Sequence, residues 1–127
     1  MTRSWIAVAL GSALLGWASE ARAQRTTERF IPIGQSPGIS GVRSYTGAIV
    51  AVDAARSTVT VRSPTNPLVI KVTARTRIFL DRSAQRLTNE VGSMTDLQAG
   101  RRVEIKFVDD ERRDTADWIK VVVPAGD

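Results

Sequence analysis

The side chains best suited to chemistry in this sequence are basic ones that recur beside predicted strands. A guanidinium group binds carboxylates and phosphates through paired, charge-assisted hydrogen bonds. One interpretation of the pattern is therefore a site for an anionic group, such as a phosphorylated lipid, a glycan or another polyanion. The candidate anion-binding residues are Arg62, Lys71, Arg75, Arg77, Arg101 and Arg102.

An acidic run at residues 109–114, followed by Asp117, is the second group with possible chemistry. Clustered carboxylates are ligands for hard cations, so a weak calcium site is one interpretation. The run lacks the regular ligand spacing of a calcium loop, and Arg112 and Arg113 lie inside it. The favoured interpretation is a solvated hairpin tip, and no metal-binding residue is predicted.

The sequence contains no cysteine and no histidine. Thiol nucleophiles, thiolate metal sites and the commonest general base are therefore missing. Four carboxylates lie near predicted strands, and no two of them form an evident catalytic pair. Asp53 and Asp96 fit turns, Glu104 is predicted to face outward from a strand, and Asp81 to be solvated in a loop. We predict a protein that is not an enzyme, with no catalytic residues and no cofactor.

The first 23 residues have the organisation of a secretory signal peptide. A start containing Arg3 precedes an uncharged stretch, residues 5–17, which is shorter than the roughly 20 residues of a membrane-spanning helix. An Ala-Arg-Ala triplet ending at Ala23 then matches a cleavage signal. Cleavage is predicted between Ala23 and Gln24, which gives a periplasmic or secreted protein with no transmembrane segment in the mature chain.

Composition divides the remaining chain into two parts. Residues 24–44 are rich in proline and glycine and predict a flexible N-terminal arm. Residues 45–124 alternate short β-type runs with turn signals, as in a small antiparallel barrel or sandwich. A helical turn is predicted at Thr95–Gln98, with Thr95 as its N-cap. The predicted strands are Ala48–Val52, Ser57–Arg62, Leu68–Thr73, Arg77–Leu80, Arg102–Val108 and Ala116–Val123.

Four segments together resemble the exported bacterial family called domain of unknown function 5666. They are residues 46–53, 58–61, 72–78 and 96–103. The resemblance implies an all-β fold: a small antiparallel, five- to six-stranded OB-like barrel with one short helical turn, after a signal peptide and a flexible arm. The family has no established biochemical role. Ser57 departs from the glycine expected in the first hairpin, which leaves the type of that turn open.

The stretch from Gly47 to Asp53 also resembles the opening of small periplasmic copper-binding OB-like barrels. That resemblance implies metal binding through histidine, methionine and tryptophan. This chain has no histidine, and Met94 is its only methionine beyond the predicted leader. The copper-binding role therefore does not carry over.

These observations predict an exported, non-enzymatic β-barrel that serves as a binding or interaction module of the bacterial cell envelope. The alternative is an anion-binding module that uses the arginine-rich face, with Arg62 and Lys71 on the outer face of the second and third strands. An envelope protein could instead dock at the apolar segment 30–33. Single-stranded nucleic acid is bound largely by base stacking on exposed aromatics. Only Tyr45 and Trp118 are candidates for such stacking in the domain, so no specific nucleic-acid partner is predicted.

Overall fold

The structure is a computed structural model that describes residues 28–125. The predicted signal peptide and its cleavage point between Ala23 and Gln24 lie outside the described residues and stay predictions. In the described part, no helix is long and apolar enough to cross a membrane.

Residues 28–125 form seven strands that hydrogen-bond into one sheet, in the order β3-β2-β1-β6-β7-β4-β5. Single 3-10 turns occur at Glu28–Phe30, Ser83–Gln85 and Met94–Asp96, and this part of the chain contains no α-helix. The all-β prediction is confirmed. The strands are β1 (Ser44–Asp53), β2 (Thr58–Val61), β3 (Leu68–Lys71), β4 (Arg77–Asp81), β5 (Glu90–Val91), β6 (Arg102–Phe107) and β7 (Ala116–Val122).

Two details of the predicted barrel are wrong. The sheet is mixed rather than antiparallel, because β4 pairs in parallel with β7 through Ile78↔Ile119 and Leu80↔Val121. A seventh strand, β5, also pairs with β4. The chain leaves β2 after β3, breaks over residues 72–76, and then joins β7 in the same direction as that strand. A parallel partner so distant along the chain leaves no local turn signal in the sequence.

The two ends of the strand order approach each other. Lys71, the last residue of β3, forms a parallel bridge with Thr115, just before β7. The Lys71 backbone N–H donates to the carbonyl oxygen of Asp114 at 2.8 Å. The sheet therefore curls into a partly closed barrel, which leaves less unpaired strand edge than a flat sheet would.

Alternating apolar residues from β1, β2, β3, β4, β6 and β7 fill the barrel interior. Ile119 pairs with Ile105 on one side and with Ile78 on the other, so three isoleucines form a row across the centre. Gly47 lies where a side chain would not fit. A Cβ atom there would be 2.9 Å from Cγ1 of Val61.

The predicted helical turn is present as the 3-10 turn Met94–Asp96, but its N-cap was predicted wrongly. Ser93, not Thr95, precedes the turn. The Ser93 backbone N–H donates to Oδ2 of Asp96 at 2.8 Å, so the carboxylate closes the start of the turn. Ser93 is also a residue type that commonly caps helices, and it is followed three residues later by the carboxylate of Asp96. The sequence therefore contained a second possible capping pair, and the structure uses that one.

The structure describes residues 28–44 of the predicted flexible arm: Ser44 begins β1, and residues 28–43 lie against the sheet. Ile39 is buried with Phe79 of β4 and Trp118 of β7, on the side of the sheet opposite the barrel interior. Gly38 and Gly41 have φ angles of 74° and 79°, a left-handed conformation that glycine adopts without strain and that turns the segment back on itself. This segment is called the strap below.

Candidate functional site

A cleft of about 1220 Å³ opens where the break between β3 and β4 faces the chain around β5 and the start of β7. Residues 72–78 form one wall of this cleft. The rest of the lining comes from residues 91–94, residues 115–117, Val108 and Ser57. Because several chain segments end here, their side chains can approach one ligand from different directions.

Two of the predicted anion-binding residues, Arg75 and Arg77, line this cleft and are exposed. Lys71 lies one residue before the wall and is exposed as well. Among the interactions within residues 28–125, none engages the side chain of any of these three residues. Asp117, an acidic lining residue, already pairs with Lys106 at 3.6 Å. The positive charge of the cleft is therefore available to an anion.

Hydrogen bonds hold the loop that carries Arg75. The backbone N–H of Thr73 donates to Oγ1 of Thr76 at 2.9 Å, and that of Arg75 donates to Oγ1 of Thr73 at 3.2 Å. The Thr76 hydroxyl then donates to the carbonyl oxygen of Ala116 at 2.8 Å. The loop is thus tied to the start of β7, which fixes the backbone from which Arg75 extends.

The other three candidates form a separate group beside Ala48 in β1. The backbone N–H of Arg62 donates to the Ala48 carbonyl at 2.9 Å, and Arg102 pairs with Ala48 from β6. Nη1 of Arg101 donates to the Asp96 carbonyl at 3.1 Å. The structure therefore places Arg75 and Arg77 in the lining of one cleft, with Lys71 next to that lining in the chain, and it places Arg62, Arg101 and Arg102 elsewhere.

Arg62 and Lys71 do share the outer face of the β2–β3 hairpin, as the alternation predicted. Lys71 lies opposite Thr58, and Arg62 is the residue that follows β2, four positions after Thr58 and in the same phase of the alternation. Four residues of strand span roughly 13 Å. The two cations are thus at opposite ends of the hairpin, too far apart to bind one small anionic group.

The carboxylate of Asp109 in the acidic run serves its own loop. Oδ1 of Asp109 accepts the backbone N–H of Glu111 at 2.9 Å, and the guanidinium of Arg113 lies 5.7 Å from the centre of the Phe107 ring. Among residues 28–125, no group of three acidic, histidine or cysteine side chains is arranged to hold a metal ion. These contacts are those of a hairpin tip.

A buried ion cluster lies under the strap and was not predicted. Lys120 of β7 and Glu104 of β6 are both 0% exposed, and Glu28 of the strap is 2% exposed. Nζ of Lys120 pairs with the Glu28 carboxylate and lies 3.9 Å from Oε1 of Glu104. Glu104 was predicted to face outward from its strand. It does face away from the barrel interior, but the strap covers it.

Serine hydroxyls complete this cluster. Lys120 Nζ donates to Oγ of Ser36 at 2.6 Å, and Ser36 donates to Oε2 of Glu28 at 2.6 Å. Ser40 and Ser44 donate to Oε2 of Glu104 at 2.7 Å and 2.8 Å. Every buried side-chain nitrogen and oxygen in the described residues has a partner. A fully satisfied and covered cluster of this kind fixes the position of the strap and has no open coordination for a substrate.

Asp81 was predicted to be solvated, and this is also wrong. It is buried at the end of β4, and its Oδ2 accepts the backbone N–H of Ile33 in the strap at 2.8 Å. Its Oδ1 accepts the N–H of Ser83 at 2.9 Å. Asp81 therefore anchors the strap, and its contacts explain its burial without a catalytic role.

Comparisons with known proteins do not assign the chain to a family. No protein-family model matches the chain, and no curated protein matches it. A solved structure described as "Crystal structure of Ag(I)CusF" is similar at 17% sequence identity and a TM-score of 0.40, over 61% of this chain and 93% of that one. This degree of likeness is too low to transfer the silver ion of that protein to this chain.

Sequence reasoning missed the aliphatic part of the cleft. Val91, Met94 and Val108 line it, yet they come from three different segments. Each one alone has no distinguishing signal in the sequence. Val91 reaches the opening through the antiparallel pairing of β5 with β4, and the Val108 N–H donates to the Thr115 carbonyl beside the start of β7. The parallel pairing of β4 with β7 then joins these two regions.

Proposed function

We propose that this protein is an exported, non-enzymatic binding module of the bacterial cell envelope that binds an anionic ligand in the cleft. The observation that carries the proposal is the pair Arg75 and Arg77, exposed on one wall of that cleft with no internal partner in the described residues. Guanidinium groups without internal counter-ions are suited to phosphate or carboxylate groups.

Export rests on the sequence of residues 1–23, with its charged start, short apolar stretch and Ala-Arg-Ala triplet. An OB-like classification is supported by the order of the strands and by the bridge that curls the sheet. The proposed relationship to domain of unknown function 5666 rests on the four quoted segments. These include Gly47, whose lack of a side chain has a packing reason in this fold.

The alternative of a protein partner at residues 30–33 has less support. The carbonyl oxygen of Ile31 accepts Nδ2 of Asn89 at 2.9 Å, and the N–H of Ile33 is bound by Asp81. Those residues serve the strap. Only Phe30, which is 63% exposed, presents a large apolar surface to solvent in this segment. The anion-binding interpretation is therefore preferred over the protein-interaction one.

We expect the double substitution Arg75→Gln/Arg77→Gln to weaken the binding of inorganic pyrophosphate about tenfold, or roughly 1.4 kcal/mol. Each substitution removes one positive charge from the cleft and retains a side chain that can hydrogen-bond. Isothermal titration calorimetry at low ionic strength measures the affinities. Raising the salt concentration should weaken binding to the original protein, because exposed charges are screened.

The matched control is Arg62→Gln/Arg102→Gln, which removes the same net charge from the separate group beside Ala48. It should leave pyrophosphate affinity within about twofold of the original protein. Equal losses in the two double variants would mean that only net charge matters. That result would refute the cleft as the anion site.

A further inference from the structure

Aliphatic side chains line the same cleft as the arginines. Val91, on the edge strand β5, is 57% exposed, and Val108, just after β6, is 69% exposed. Met94 lines the cleft as well and is half-buried. Single exposed apolar residues are ordinary on a protein surface. Here, however, several apolar side chains line one cleft beside Arg75 and Arg77. A ligand in the cleft could therefore make both apolar and charged contacts.

Aromatic side chains are missing from this lining in the described part of the chain. Trp118 and Phe79, in the neighbouring strands β7 and β4, are buried beneath Ile39 of the strap. Nucleobases are bound largely by stacking on aromatic rings, and that contact is unavailable here. The chemistry of the lining instead matches a saturated hydrocarbon chain attached to an anionic group.

We propose that the ligand of the cleft is a single-chain amphipathic anion, such as an alkyl phosphate or a fatty acid. Its anionic group lies at Arg75 and Arg77, and its chain lies along Val91, Met94 and Val108. This inference rests on the proposed function and adds the ligand class. The aliphatic residues line a recess of about 1220 Å³, which a monomeric chain can enter and a flat bilayer surface cannot.

The test is a titration of the purified protein with inorganic phosphate, butyl phosphate and octyl phosphate, each below its micelle concentration. Octyl phosphate should bind at least about tenfold more tightly than butyl phosphate. A fully buried methylene contributes about fourfold to affinity, and four methylenes are added, each of them only partly buried in an open cleft.

The variant Val91→Thr/Val108→Thr should reduce this gain to about threefold or less, because it replaces two methyl groups by hydroxyls without a change in shape. Its affinity for butyl phosphate should stay within about twofold of the original. The control Val42→Thr/Val69→Thr changes two valines that are 75% and 58% exposed and lie outside the cleft lining. It should keep the full chain-length dependence.

Three results would overturn the inference. Equal affinity for butyl and octyl phosphate, with binding still dependent on Arg75 and Arg77, would refute the amphiphile and leave the anion site intact. Binding that depends on neither arginine would refute the inference and the proposed function together. Binding to phosphatidylglycerol vesicles without binding to monomeric octyl phosphate would mean that the protein recognises a membrane surface and not a chain in the cleft.

Discussion

Replacement of Lys120 by methionine is expected to lower the free energy of unfolding by about 3–5 kcal/mol. Lys120 is the only cation in contact with the carboxylates of Glu28 and Glu104 among the described residues, and all three side chains are buried. Methionine has a similar length but leaves both carboxylates without a counter-ion. A buried charge that has lost its partner keeps its desolvation cost and loses its attraction.

Urea denaturation at neutral pH measures this effect. The triple variant Lys120→Met/Glu28→Gln/Glu104→Gln should recover much of the loss, because it removes all three charges together. Lys106→Met is the matched control. Lys106 pairs with Asp117 at 3.6 Å but is partly exposed, so its replacement should cost about 1 kcal/mol or less. A loss below about 1 kcal/mol for Lys120→Met would contradict the buried ion cluster.

The second large effect is expected for Ile119→Ala, at about 2–5 kcal/mol. Ile119 is completely buried and lies between Ile105 and Ile78, where the antiparallel and parallel pairings of β7 meet. The shorter side chain would leave a cavity in the middle of that row, and the neighbouring strands are held by their hydrogen bonds and can close it only in part.

Thermal and urea unfolding of Ile119→Ala should both show the loss. Val69→Ala is a suitable control, since Val69 belongs to the edge strand β3 and is mostly exposed. It should cost well under 1 kcal/mol, mainly through the weaker β-propensity of alanine. Similar losses for the two variants would contradict the assignment of Ile119 to the centre of the barrel.

The sequence predicts the strands with local signals well. β2 and β6 alternate apolar and polar residues, and the structure buries Val59 and Val61 in β2 and Val103, Ile105 and Phe107 in β6. Alternation reports which face of the sheet a side chain occupies. It does not report what else covers that face, so Glu104 was placed on the correct side of the sheet and its burial under the strap was not predicted.

The strap and the parallel pairing depend on contacts between residues far apart in the chain. Glu28 contacts Lys120, 92 positions away in the chain, and Ile33 contacts Asp81, 48 positions away. Proline and glycine in residues 28–43 indicate turns, but the same composition is typical of a mobile segment. The candidate site also depends on contacts between residues that are far apart in the chain. The sequence named Arg75 and Arg77 as cations, and only the fold separates them from Arg62, Arg101 and Arg102.

An NMR titration would show directly whether the cleft beside Arg75 and Arg77 is the binding site. Amide chemical shifts of the isotopically labelled protein would be followed as octyl phosphate is added. If the cleft binds the ligand, the largest changes should occur in residues 72–78, 91–94 and 115–117, and Arg75→Gln/Arg77→Gln should remove them. Changes centred on Ala48, Arg62 and Arg102, or none at all, would contradict it.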